Sequence, residues 1–174
     1  MLAVDMSDAG NTLSESTLAG PAIAIARRSL LVAAIGLWVG GFTFYALFVL
    51  PQAHDVLDSH LQSGLITRGV TLHLNRIGVI AIGLMLWDVL ASRQSRTLVT
   101  VLLVLWFTIA VAHGGLFLMH DRLSNMIDAH AGVMVDRDLF RSVHTRYEQV
   151  SGVQWCATLA YLVTTLIAWR HQDR

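Results

Sequence analysis

Three long stretches of this chain contain no aspartate, glutamate, lysine or arginine: Ser29 to His54, Thr97 to His120 and Gln149 to Trp169. Each exceeds the roughly 20 residues that an α-helix needs to cross a bilayer core of about 30 Å. Backbone polar groups inside lipid must be satisfied within the segment, so such runs are helices. A fourth run, shorter and less apolar, lies around Ile77 to Trp87, between Arg76 and Asp88. The composition agrees: 55% of the 174 residues are hydrophobic and only 14% charged, against about a quarter charged in soluble domains. The expected fold class is therefore all-α, an integral membrane four-helix bundle of up-down topology. It carries short interfacial helices in its two non-cytoplasmic loops.

Residues 1–20 are small, polar and mildly acidic, without the basic start and apolar centre of a signal peptide, and read as a flexible N-terminal tail. Residues 21–174 form the transmembrane domain, with helices at about 21–50, 70–92, 98–119 and 136–170. Pro51 marks the end of the first, since proline cannot continue the hydrogen-bond ladder. Gly36, Gly40 and Gly41 offer a small-residue patch for close helix packing. Residues 52–69 are too polar to span, and Val56, Leu57, Leu61 and Leu65 give a short interfacial helix. The second helix carries His73, Asn75, Arg76 and Asp88; it must turn that polar face toward protein, because Asp88 is too short to snorkel. Asp136 is placed to N-cap the last helix.

Four spans put both termini on one side. The arginines divide six and six between the two sides, and all twelve basic residues are arginine. The compact, acid-free connection Arg93 to Arg96 faces opposite loops rich in aspartate. That contrast places the termini in the cytoplasm. The localisation is integral membrane and multi-pass, the inner or plasma membrane if the source is bacterial. Zero net charge leaves no electrostatic footprint for nucleic acid. The one cysteine, Cys156, excludes an internal disulfide framework and reads as a small apolar residue.

Seven of the eight histidines fall toward the non-cytoplasmic end, and only His171 toward the other. Imidazole binds copper, zinc and iron, and a carboxylate can complete the set. His73, His113 and His144, one from each of three helices, are the candidate cofactor ligands. Glu148 is a fourth ligand or outer acceptor, and His120 a reserve metal ligand. His113 lies roughly 22 Å along its span, the deepest of them. Haem b is an alternative, with axial pairs drawn from His113 and either His73 or His144. A proton path through Glu148, Tyr147 and His144 is another. No spacing such as HxxxH fixes two ligands on one helix. No nucleophile elbow, phosphate loop or dinucleotide fingerprint is present, and a catalytic role on its own is the weakest reading.

The stretch GLWVGGFTFYALFVLP (Gly36 to Pro51) resembles the first helix of small four-helix membrane proteins related to transmembrane protein 205, and a helix of the copper-resistance protein D group. FRSVHTRYEQVSGVQW (Phe140 to Trp155) is similar to the Phe-x-x-x-His entry of the last helix in the former group. The residues that carry over are Trp38, Gly40, Gly41, Pro51, Phe140 and His144. The resemblance implies a four-helix membrane protein with a link to metal handling. The functional expectation is thus a histidine-based metal or haem site, with copper, zinc or haem b, serving metal handling or electron transfer. The alternative is an accessory subunit of a larger membrane complex. The partners are the lipid bilayer and other membrane subunits or further copies of the chain.

Overall fold

The structure, a computed structural model, describes residues 7–57, 60–92, 94–128, 133–134 and 136–174. Helix α1 (Ser7–Phe44) passes through a π-helical turn, Tyr45–Val49, into α2 (Leu50–Val56). Then come α3 (His60–Ala91), α4 (Arg96–Asn125) and α5 (Arg137–Gln172). Between α4 and α5 lies a two-residue antiparallel ribbon, β1 (Ile127–Asp128) with β2 (Val133–Met134). Four helical segments among the described residues are long and apolar enough to cross a membrane: Pro21–Val56, Gln62–Ala91, Arg96–Asn125 and Arg137–Gln172.

The distribution of side chains is that of a membrane protein. Large apolar residues face outward, among them Val104, Phe107, Val111, Leu118 and Val163. Polar residues face inward: Asn75, Asp88, His113, Ser151, Gln154, Thr158 and Thr165 are all buried. In water this arrangement would expose apolar surface and bury polar groups, both unfavourable. In a bilayer the apolar exterior is solvated by lipid tails, and the inward polar groups join helices to one another. On α5 the inner row runs Tyr147, Ser151, Gln154, Thr158, Tyr161, Thr165, Ala168. These steps of four and three residues keep one face toward the bundle. The apolar core between the helices comes from Leu31, Ile35, Trp38, Ala81, Met85, Leu102 and Ile109. Cross-ties from aromatic side chains to neighbouring helices reinforce it. Trp106 Nε1 donates to the Ile82 carbonyl at 3.0 Å, Tyr161 Oη to Met85 at 2.8 Å, and Trp155 Nε1 to Thr43 Oγ1 at 2.9 Å.

Several boundaries differ from expectation. The helix entering the first span already begins at Ser7, inside the segment read as a flexible tail; residues 1–6 lie outside the described part. Pro51 does not stop the chain. The Leu50 N–H bonds back five residues to the Tyr45 carbonyl, and Pro51 sits in the first turn of α2. The π-turn before it re-satisfies the backbone around a proline that has no N–H to donate. The interfacial helix expected around Val56 to Leu65 is not a separate element: its residues end α2 and begin α3. Helix α3 begins ten residues before its expected start at 70, α4 runs on to Asn125 past the expected 119, and α5 lies within two residues of 136–170; Asp136 caps α5 by accepting the Leu139 N–H at 3.0 Å. Of the small-residue patch, only Gly41 meets a neighbour, with Leu74 3.1 Å from where a Cβ would be, while Gly36 and Gly40 face open space.

Candidate functional site

The bundle has a closed end, a polar middle and an open end. At the closed end Asp88 on α3 is fully buried. Arg27 of α1 donates from Nε to Asp88 Oδ1 at 2.8 Å and from Nη2 to Ser92 Oγ at 2.9 Å. The Trp169 indole donates to the other carboxylate oxygen at 3.2 Å. Arg28 lies over the Trp169 ring, 5.2 Å from its centroid, and bonds Asp173 at 2.8 Å and Gln172 at 3.0 Å. Every charge buried here has a partner, as the low dielectric requires. The expectation that Asp88 faces protein holds, and its partner is an arginine that sequence alone left as a flank of the first span.

In the middle, His113 is 4% exposed and both its ring nitrogens are engaged. Gln154 Nε2 stands 3.0 Å from Nδ1 and also donates to the Ile109 carbonyl at 3.3 Å, which orients the amide. Nδ1 therefore accepts, the proton sits on Nε2, and it is donated to the Asn75 carbonyl at 2.9 Å. Trp38 and Phe117 pack edge-on against the ring, each with centroids 5.3 Å away. Gly78 makes room for this cluster, since a Cβ there would lie 2.5 Å from His113 Cε1 and 2.6 Å from Trp38 Cε2. His113 is thus a neutral cross-link between α3, α4 and α5. Beside it is a chamber of about 30 Å³ whose walls include Asn75, Ser151 and Gln154. Asn75 Nδ2 and Ser151 Oγ are buried without a partner. One water occupies about that volume in the liquid, and it would satisfy both.

The open end holds a cavity of about 350 Å³ between α2, α3, α4 and α5. The π-turn positions its roof: it buries Tyr45, whose hydroxyl donates to Thr67 Oγ1 at 2.7 Å, and swings Leu50 and His54 over the opening. The polar walls are His54, Arg68, His120, His144 and Tyr147, with hydroxyls from Ser63, Thr67, Thr71 and Ser124. Ser63 is 1% exposed, and its Oγ has no partner among the described residues. Tyr147 and Thr71 line both this cavity and the small chamber beneath it, so the two are neighbours. Phe140 stacks on the His144 ring at 5.8 Å, and His144 Nε2 is 3.3 Å from Glu148 Oε1.

The structure does not bring His73, His113 and His144 together. His73 is exposed on the outer side of α3, with Nδ1 2.8 Å from the Gly69 carbonyl of its own helix. His113 has no free lone pair for a metal or haem iron. His144 and His120 stand in the cavity wall, and Glu148 points away to the exterior beside His144. No three His, Cys, Asp or Glu side chains among the described residues form a metal-holding group. His130 lies outside the described residues. Gly114 faces open space, and the nearest group to Gly115 is Met119 of its own helix, so neither is packed against a neighbouring helix. Helical spacing from His144 gives His144, Glu148, Ser151 and Trp155 as one face of α5, but the inward row is His144, Tyr147, Ser151 and Gln154, with Glu148 exposed. Sequence reasoning missed Arg68, His54, Ser63 and Gln154. The run of hydroxyl and amide residues at alternating steps of four and three along α5 is the signal that could have found the last.

Comparison of the chain with family models, with curated proteins and with solved structures finds no match.

Proposed function

We propose that this is a multi-pass membrane protein, an up-down bundle with cytoplasmic termini, that binds a small molecule in the cavity at its open end. The observation that carries this reading is the cavity itself. It combines about 350 Å³ of space, within the range of small-molecule sites, with polar groups in its wall and a buried Ser63 hydroxyl that no described residue satisfies. Apolar lining residues such as Leu50, Leu123 and Phe140 would cover a ligand's body, and the polar ones would fix its orientation. A metal or haem centre built on His73, His113 and His144 gains no support from these positions. The kinship with proteins related to transmembrane protein 205 remains part of the proposal. Of the residues that suggested it, Trp38 packs on His113, Gly41 on Leu74, and Phe140 and His144 line the cavity.

Native mass spectrometry of the protein released from nanodiscs tests the reading. The wild type is expected to retain a small-molecule adduct that Gly64→Trp, which fills the cavity, abolishes. An adduct of equal occupancy in both would show that the molecule is held elsewhere.

A second reading, an accessory subunit, rests on Arg76. This arginine lies halfway along the span Gln62–Ala91 and is exposed on the outer side of α3, below His73. A guanidinium facing lipid is costly unless it snorkels or meets a partner's polar group. Extraction in mild detergent followed by size analysis tests it: a larger assembly dissociated by Arg76→Leu supports the subunit role, and a monomer throughout refutes it.

A further inference from the structure

We infer that the ligand of the open-end cavity is an organic anion, a carboxylate or phosphate on a small apolar body; this rests on the cavity being a ligand site. The wall contains one permanent cation, Arg68, three imidazoles, His54, His120 and His144, and no aspartate or glutamate. Arg68 belongs to none of the ion pairs among the described residues. It lines the same wall as His120. Two acids adjoin the imidazoles without lining the cavity: Asp121, next to His120 in the chain, and Glu148, which is 64% exposed and engages His144 from outside the wall. The donors that remain suit an anion. Guanidinium offers a planar fork matching carboxylate or phosphate oxygens, the His120 imidazole and the Tyr147 phenol can each present one N–H or O–H, and Ser63 Oγ is a buried donor without an acceptor among the described residues. A cationic ligand would meet repulsion from Arg68 and find no carboxylate. A ligand with no acceptor atoms would leave Ser63 unsatisfied. The apolar share of the wall rules in a hydrocarbon or aromatic body behind the charged group.

The test compares two probes of matched shape, benzoate and its neutral isostere benzamide, on the full chain in neutral phosphatidylcholine nanodiscs, by calorimetry or thermal shift. Benzoate should bind at least roughly tenfold more tightly, the effect of one charge-assisted contact. Arg68→Gln should remove most of that preference while leaving benzamide unchanged, and His120→Gln should weaken benzoate by a smaller factor. Repeating the titration in nanodiscs containing phosphatidylglycerol assigns the source of the anion. Competition there identifies a lipid headgroup, whereas undiminished benzoate binding identifies a soluble anion. Equal affinity for both probes overturns the anion class while keeping the cavity as a ligand site. Binding of neither probe removes the ligand site itself. A benzoate preference that survives Arg68→Gln places the anion elsewhere and also overturns the inference. Because Arg68 is exposed and outside every ion pair described, loss of folding does not mask the result.

Discussion

The two ends of this bundle use the same kinds of residue to opposite effect. At the closed end an arginine, an aspartate, a serine and a tryptophan are each other's partners, and both oxygens of the buried carboxylate are engaged. At the open end Arg68, outside the ion pairs described, and the Ser63 hydroxyl, without a partner among the described residues, border a space whose wall holds no aspartate or glutamate. Satisfied polar groups hold helices together, whereas unsatisfied groups around a void are held ready for a ligand. Polarity inside a membrane protein is therefore not in itself a mark of a site. The mark is polarity whose partners are missing.

The strongest way to break this contrast is to unpair the closed end. Asp88→Ala leaves the Arg27 guanidinium buried without its carboxylate and should cost about 3–5 kcal/mol of stability, measured by unfolding in detergent or nanodiscs. The joint replacement Arg27→Met with Asp88→Leu removes both charges and should restore stability to near wild type or above it. A mild effect of Asp88→Ala would mean that the ion pair does not lock this end.

Next in size is Gly78→Ala. The added methyl must displace His113 or Trp38, at about 1–3 kcal/mol. Gly83→Ala on the same helix meets open space and should gain a few tenths of a kcal/mol to about 1 kcal/mol from helix propensity. Reversal of that order would show that the middle cluster is loosely packed.

Ser151→Ala gives a smaller and more diagnostic change. With one water in the chamber beside His113 the variant loses a hydrogen bond and should be less stable by about 1 kcal/mol. In a dry chamber it would be more stable, because a buried hydroxyl without a partner is removed. At the bottom of the scale, Arg68→Gln at the open end should leave unfolding unchanged, in contrast with the large effect of Asp88→Ala. A marked loss would give Arg68 a structural role and weaken the contrast between the ends.

Much of the architecture was legible from charge-free runs, because desolvating a charge is the largest single energy along a membrane span. Asp136 as a cap and Asp88 as inward-facing were equally local, one from helix-end chemistry and one from side-chain length. What failed depended on contacts distant in the chain. Pro51 reads as a stop, but the π-turn before it is secured through Tyr45 and Thr67, 22 residues apart. Arg27 finds Asp88 at a separation of 61 residues. His113 has the look of a ligand, and only the structure reveals that Gln154 and the Asn75 carbonyl already use both of its nitrogens. The face of α5 was misjudged because its outward residues are as apolar as the core, so hydrophobic periodicity carries little information. The inward hydroxyl and amide residues carry it instead.

Thiol accessibility compares the two ends most directly. In a Cys156→Ala background, Thr71→Cys lines the open cavity and Ser92→Cys sits within the closed cluster. Both are half-buried, so exposure alone does not separate them. With the protein in nanodiscs, an anionic methanethiosulfonate reagent should modify Thr71→Cys rapidly and be slowed by benzoate, while Ser92→Cys stays unreacted. Equal labelling of the two, or faster labelling at Ser92→Cys, would contradict the account.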